Sequence, residues 1–315
     1  MTTAVAVALY NGERFIEKQM DCLRLQTQIP NQVVFCDDGS KDHTVQMVND
    51  YIIKHQLQDS WKVYINEQNL GYARNFYKAI SLCDADLIFL CDQDDLWETD
   101  KIQKMTAVME SKSDIALLSC KYGIIDENDQ RMHSLIERDS KQTEQVREIT
   151  TVDLMRAYRW PGMVMCLRND FFESILPSIQ NSAIAHDMMF ALFAADRSGF
   201  YEYDYVGAYH RRHGNNTARE EHRIWKILKF EKKLFEIGVY NRMLTGLIDL
   251  KLPVKTETTK LLMYRLEKSQ TREKALREKR LRELVQIYSN DPLHMMRFSS
   301  FICDLWLILF GTGKQ

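Results

Sequence analysis

Three carboxylates fall within four positions of the stretch LCDQDDLW, at Asp92, Asp94 and Asp95, directly after an apolar run. Like charges that close raise one another's pKa unless water screens them or a cation sits among them. The stretch is therefore either a solvated turn or a place where something positive binds. Asp92 and Asp94 alternate, and alternate residues of an extended segment project to one side. That suits a hard divalent cation, which is commonly held by one or two carboxylates and by the phosphates of its ligand. Two more acidic residues, Asp37 and Asp38, follow the apolar run QVVFC, and the polar pair Tyr10 and Asn11 follows AVAVAL.

Elements must bring these groups together. AVAVAL (Ala4 to Leu9), QVVFCDD, WKVYIN and ADLIFLCD are short apolar runs, and between them lie stretches of helical apolar spacing at Phe15 to Leu25, Val45 to Ile53 and about Gly71 to Leu82. Strands alternating with helices of this length predict an α/β fold with a mostly parallel sheet flanked by helices. In such sheets ligands bind at the carboxyl ends of the strands, where the strand order reverses, and the polar residues collect at those ends. YNGERF lacks G-x-G-x-x-G, and no G-x-x-x-x-G-K-[ST] occurs, so glycine loops do not cradle a phosphate here. The missing glycine loop also argues against a nucleotidyltransferase.

The 315 residues, 45% hydrophobic and 27% charged, can bury a full core. Seven cysteines are scattered without a C-x-x-C pair, and the first residues lack a basic segment followed by a long apolar one. Both observations point to reduced thiols and a cytoplasmic location. Cysteine and histidine do not cluster at zinc-ligand spacing. No nucleic-acid signature accompanies the basic residues, so no nucleic-acid partner is expected. The net charge of −2 hides an asymmetry, because Arg211 to Glu283 holds 20 Lys/Arg against 10 Asp/Glu. That section is a set of solvated helix faces or a surface for phosphates and anionic lipid.

Four strings in order, YNGERFIEKQMDCLRLQT, VVFCDDGSKDHT, NLGYARNFYKAI and LCDQDDLWETDKI, resemble the nucleotide-sugar-binding half of family 2 glycosyltransferases, which have the GT-A, Rossmann-like fold. The resemblance implies that Asp37 and Asp38 bind the nucleobase and ribose, with Tyr10 or Asn11 against the base. It puts Asp92 at the ribose side and Asp94, aided by Asp92, on a Mn²⁺ or Mg²⁺ that holds the diphosphate. Arg74 and Asn75 would approach the donor from their helix, and Asp95 would support the ligands from behind or cap a helix starting near Trp97. Family 2 enzymes invert the anomeric centre, which takes a carboxylate base for the acceptor hydroxyl. Asp187, in SAIAHDMMFALFAA, is the candidate; a plain helix cap is the alternative for it, and a surface or capping role for His186.

RWPGMVMCLRNDFF and VGAYHRRHGNNTA are similar to segments of bacterial rhamnosyltransferases and other polysaccharide-building enzymes. By that likeness Arg211, Arg212 and His213 would close over the diphosphate, with Gly214 permitting a turn and Asn215 and Asn216 making polar contacts. The expected layout is a GT-A domain over 1–218, split into a donor half (1–112) and an acceptor half (113–218), followed by a basic helical region over 219–315. The apolar piece Phe298 to Phe310 is too short to cross a bilayer, which takes about 20 residues. It would lie in the membrane interface through Trp306 and the phenylalanines, or pack on the enzyme or a second subunit of a homo-oligomer.

The function expected is metal-dependent, inverting transfer from a UDP- or dTDP-sugar to a saccharide acceptor, lipid-linked, in cell-surface polysaccharide synthesis. The enzyme would work in the cytoplasm, peripheral to the inner face of the cell membrane. A catalytically silent GT-A scaffold that binds a nucleotide sugar or a partner chain is the alternative.

Overall fold

The computed structural model describes residues 1–132, 142–213 and 230–311. It forms two compact units, Met1–Ile149 with Arg159–Gly214, and Thr150–Tyr158 with Asn215–Gln315.

The first unit opens with β1 (Thr3–Leu9), α1 (Ile16–Arg24), β2 (Gln32–Asp37), α2 (Thr44–Lys54), β3 (Trp61–Ile65), α3 (Tyr72–Ser81) and β4 (Leu87–Asp92). Val5, Val7, Val33, Phe35, Leu87 and Phe89 are wholly buried, as expected for strands covered by helices on both faces. Burying each such side chain contributes about 1.5–3 kcal/mol. α1 buries Ile16, Gln19, Met20 and Leu23, the helical stripe that packs it onto the sheet. The unit continues through β5 (Leu96–Trp97), α4 (Lys101–Ser111), β6 (Leu117–Ile125) and β7 (Val146–Glu148). After α5 (Thr151–Arg156), which belongs to the second unit, come a 3₁₀ turn (Gly162–Val164), β8 (Met165–Arg168), α6 (Asn169–Ile179), α7 (His186–Asp196) and β9 (Phe200–Arg211).

The strand order is β3-β2-β1-β4-β8-β6-β9-β5, with β7 also on β9. β1 pairs in parallel with β2 and β4, and β2 with β3, whereas β8 runs antiparallel to β4 and β6. The sheet is mostly parallel, as predicted: β6 and β9 also pair in parallel, and the short antiparallel pairings of β8, β5 and β7 make it mixed. Leu9 lies opposite Asp37 and Ala8 opposite Asp92, so the ends of β1, β2 and β4 emerge at one level.

All seven cysteines are free thiols, and Cys36, Cys83, Cys91, Cys120 and Cys166 are buried. Burial pushes the Cys36 thiol up to about 11 and Cys83 up to about 12.

In the second unit α5 is followed by α8 (Phe230–Asp249), α9 (Thr256–Arg277), α10 (Leu281–Ser289) and α11 (Phe298–Phe310). Thr150 and Asp153 form a reciprocal capping box at the start of α5. Leu234, Ile237, Ala275, Leu276, Leu284 and Leu307 make the core. Asp304, the charge inside the apolar terminal run, faces this interior and is fully buried. Arg272 donates to both of its oxygens, at 2.6 and 2.8 Å, and the Tyr288 hydroxyl donates to one at 3.0 Å. Among the described residues no helix is long and apolar enough to cross a membrane.

Candidate active site

Side-chain hydrogen bonds lock the strand ends. After β1, Gln93 accepts from the Tyr10 N–H at 2.9 Å and donates to the Tyr10 carbonyl at 2.8 Å, which ties this end to the end of β4. A Cβ on Gly12 would lie 2.2 Å from Gln93 Oε1, so the close approach depends on glycine. Asn11 takes a left-handed φ of 49°, which asparagine tolerates. Its side chain accepts from Lys41 N at 2.8 Å, and Gly12 N donates to Thr44 Oγ1 at 2.7 Å. The loops after β1 and β2 are thereby joined.

Both aspartates after β2 are buried and engaged. Asp37 accepts from Gly39 N and Ser40 N, each at 3.0 Å, closing its own turn. Asp38 accepts from Asn66 Nδ2 at 2.9 Å, Leu70 N at 2.7 Å and Gly71 N at 2.9 Å, which fixes the approach to α3. Asn75 is buried as well, donating to the Cys36 carbonyl at 2.8 Å and accepting from Asn66 at 2.9 Å. Of the residues expected at the donor, Tyr10 faces solvent and Arg74 is exposed, with its guanidinium on the Asn181 carbonyl at 2.9 Å.

The carboxylate cluster sits at the end of β4. Asp92 is half-buried. Burial first, then the charges of Asp95 and Asp94, push its carboxyl well above the usual range, and Asp187 adds to the same effect. Asp95 is buried, accepts from Arg211 N at 2.9 Å, and leaves its second oxygen without a partner. His210 Nδ1 lies 3.4 Å from Asp95 Oδ1, the oxygen bonded to Arg211 N. Burial disfavours the His210 charge, but Asp95, Asp92 and Asp94 outweigh it and hold the imidazole up to about 9. Asp95 caps no helix: Leu96–Trp97 is a short strand on β9, and α4 begins at Lys101.

Asp94 Oδ2 lies 2.8 Å from His213 Nε2, and Arg211 Nε donates to the Asp94 carbonyl at 2.7 Å. Phe15 is the floor beneath both, with the Arg211 guanidinium 4.8 Å and the His213 ring 4.8 Å from its ring. Arg211 is fully buried and also paired with Asp129. It therefore supports Asp94 from below, where the sequence reading had it closing over a diphosphate. Gly214, Asn215 and Asn216 lie outside the described residues.

Asp187 is half-buried in the first turn of α7, with one oxygen accepting from Met188 N at 2.7 Å. His186 before it is neither a surface nor a capping residue. It stacks on Phe76 at 4.0 Å, meets Tyr72 edge-on at 6.2 Å, and neither ring nitrogen has a partner. A Cβ on Gly162 would lie 2.5 Å from its Nε2. Burial keeps this imidazole neutral, pushing it down to about 3. The turn carrying Gly162 is pinned in its turn by the buried Lys101, which donates to the Met163 carbonyl at 2.6 Å.

Sequence reasoning missed Gln93, Phe15, His186 and Lys101 as positioning residues. Only Gln93 carried a signal, an amide placed between two metal-competent aspartates.

A profile described as glycosyl transferase family 2 matches residues 4–170, more than half of the chain, so the chain belongs to that family. It is 24% identical over 180 residues to an uncharacterized glycosyltransferase of Nostoc sp., covering 56% of this chain and 54% of that protein. It is 31% identical over 100 residues to the dTDP-rhamnosyl transferase RfbG of Shigella flexneri, covering 31% and 34%. The chain thus spans about half the length, or less, of these curated relatives. Residues 1–349 of S. aureus TarS, solved with UDP-GlcNAc, superpose with a TM-score of 0.60 over 97% of this chain and 82% of that one, at 17% identity. The likeness to TarS is one of fold, and it makes this a GT-A architecture.

Proposed function

We propose that the chain moves one sugar from a UDP- or dTDP-sugar to a saccharide acceptor, inverting the anomeric centre with the help of a divalent cation. The observation that carries this reading is that β1, β2 and β4 end at one level with Asp92, Asp94 and Asp95 at the end of β4, where the charge of Asp187 adds to theirs at Asp92. A base and a cation-seeking cluster within one field suit a reaction that needs both. Asp187 would take the proton of the acceptor hydroxyl as its oxygen bonds to the anomeric carbon and the bond to the nucleoside diphosphate breaks. No nucleophile of the enzyme is required.

The residues present fit a hard cation. Asp95 keeps a buried oxygen without a partner, and burial with the charges of Asp95 and Asp94 raises the Asp92 carboxyl, an effect that a bound cation would oppose. Asp92 and Asp94 would hold Mn²⁺ or Mg²⁺. Among the described residues no three acidic, imidazole or thiol side chains form a complete cage, as expected where phosphates complete the shell. When bound, the ion would neutralise charge on the departing diphosphate. RfbG is named for dTDP-rhamnose and TarS was solved with UDP-GlcNAc, which supports a pyrimidine donor.

Phe298, Ile302, Trp306, Leu309 and Phe310 are exposed on α11. They recur at helical spacing on the face away from Asp304, which supports contact with a membrane and with it a lipid-linked acceptor. Replacing Phe298, Ile302, Leu309 and Phe310 by Ser should release the protein from anionic vesicles; equal co-sedimentation would remove the membrane from the reading.

The decisive test is a panel of UDP- and dTDP-sugars with Mn²⁺ or Mg²⁺ and saccharide acceptors, followed by release of nucleoside diphosphate. Donor binding without any acceptor-dependent release would instead favour the catalytically silent scaffold.

A further inference from the structure

Tyr72 opens α3, whose buried stripe is Ala73, Phe76, Tyr77 and Ile80. The Tyr72 side chain falls outside that stripe, and the residue is 47% exposed. Its surroundings are rigid. Gly71, with a φ of +80° that glycine adopts freely, donates its N–H to Asp38 at 2.9 Å. Arg74 ties the same helix turn to the Asn181 carbonyl ahead of α7 at 2.9 Å. The Tyr72 ring meets His186 at 68°, and His186 is itself stacked on Phe76. Asp187 follows directly in sequence, and after burial its charge is what raises the Tyr72 phenol.

The ring is thus a half-open aromatic plate, edge-on to His186 beside the carboxylate assigned as base, on a helix start held by Asp38 and the Asn181 carbonyl. An aromatic face is apolar and carries negative quadrupole density. A pyranose presents the complement, a patch of C–H groups on one ring face with hydroxyls around its rim. We propose that Tyr72 is the platform on which the acceptor sugar ring rests, and so a specificity-determining residue of the transfer proposed above, on which this inference depends. Stacking there would leave the sugar's rim hydroxyls to turn toward Asp187. Tyr10, another exposed tyrosine beside the strand ends, has its backbone held by Gln93 at the β1 end, on the side assigned to the donor.

The test reads binding without turnover. The full chain with UDP and Mn²⁺ is titrated with methyl β-glucoside, methyl β-galactoside, methyl β-N-acetylglucosaminide and methyl α-rhamnoside, followed by saturation-transfer NMR. At least one glycoside should bind the wild-type chain and Tyr72→Phe alike, with saturation strongest at its C–H face. Tyr72→Ala should bind it about tenfold more weakly, as expected for losing ~1.4 kcal/mol of stacking, with UDP affinity unchanged within about twofold. No binding to the wild type, equal binding by Tyr72→Ala, or loss in Tyr72→Phe would overturn the platform. Sugar binding that depends on Tyr72 in a chain that never transfers would uphold it and sink the glycosyltransferase reading instead.

Discussion

His213 Nε2 lies 2.8 Å from Asp94 Oδ2, so the carboxylate proposed above as a cation ligand is held by a histidine that reaches it from beyond β9. The ring in turn rests on Phe15 and the Asp94 backbone on Arg211. Asp94→Ala should abolish metal-dependent donor binding without unfolding the chain, because it removes one of several mutually repelling charges. Calorimetric titration of donor with Mn²⁺ checks this. Undiminished binding by the variant would end the metal assignment.

Asp187→Asn should keep donor affinity while transfer slows by about 10² or more, the range over which a positioned general base acts. Single-turnover rates with saturating donor are the measurement. Survival of the rate within a few-fold would leave Asp187 as part of the α7 first turn and nothing else.

His186 gives a pH signature. Its folded value is about 3 against an ordinary 6.5, so below about pH 6.5 the unfolded chain takes up a proton that the folded chain refuses. Stability contributed by the neutral ring is therefore full above pH 6.5 and is lost as pH falls toward 3, by up to ~1.4 kcal/mol per pH unit. His186→Phe, which keeps the stack on Phe76, should flatten that limb. Urea melts of both chains at pH 7, 6, 5 and 4 would show it, and parallel curves would mean the histidine is open to water.

In the second unit, Asp304→Asn should cost about 3–5 kcal/mol, the range for leaving one partner of a buried ion pair uncompensated. Phe298→Ser, at a side chain 74% exposed, should lie within about 0.5 kcal/mol of wild type. Thermal melts of the two variants separate these roles. They also show why truncating the terminus would be a poor test of membrane contact, since it would strip Arg272 of its partner.

Much of this was legible in the residues. The runs ending in Asp37 and Asp92 are strands because fully covered parallel strands read as unbroken apolar stretches, and the acidic ends of the sheet follow from that. Asp38 shows where legibility stops. The sequence marks it as polar at a strand end, but not that three donors from the 66–71 segment consume its carboxylate. Arg211 shows the same limit. An arginine in a basic string reads as a surface charge, and only the pairing of β9 with β6 and β5 puts it beneath Asp94. His186 could not be assigned because its neighbours Phe76 and Gly162 lie far away in the chain.

The buried thiols give this fold a built-in clock. Cys36, Cys91, Cys166 and Cys120 each sit on a different strand, β2, β4, β8 and β6, and each is protonated and shielded while the sheet is closed. A thiolate-seeking reagent can react with them only when a strand peels away. Timed labelling followed by mass spectrometry would therefore rank the strands by how often each one opens, across the sheet from β2 to β6.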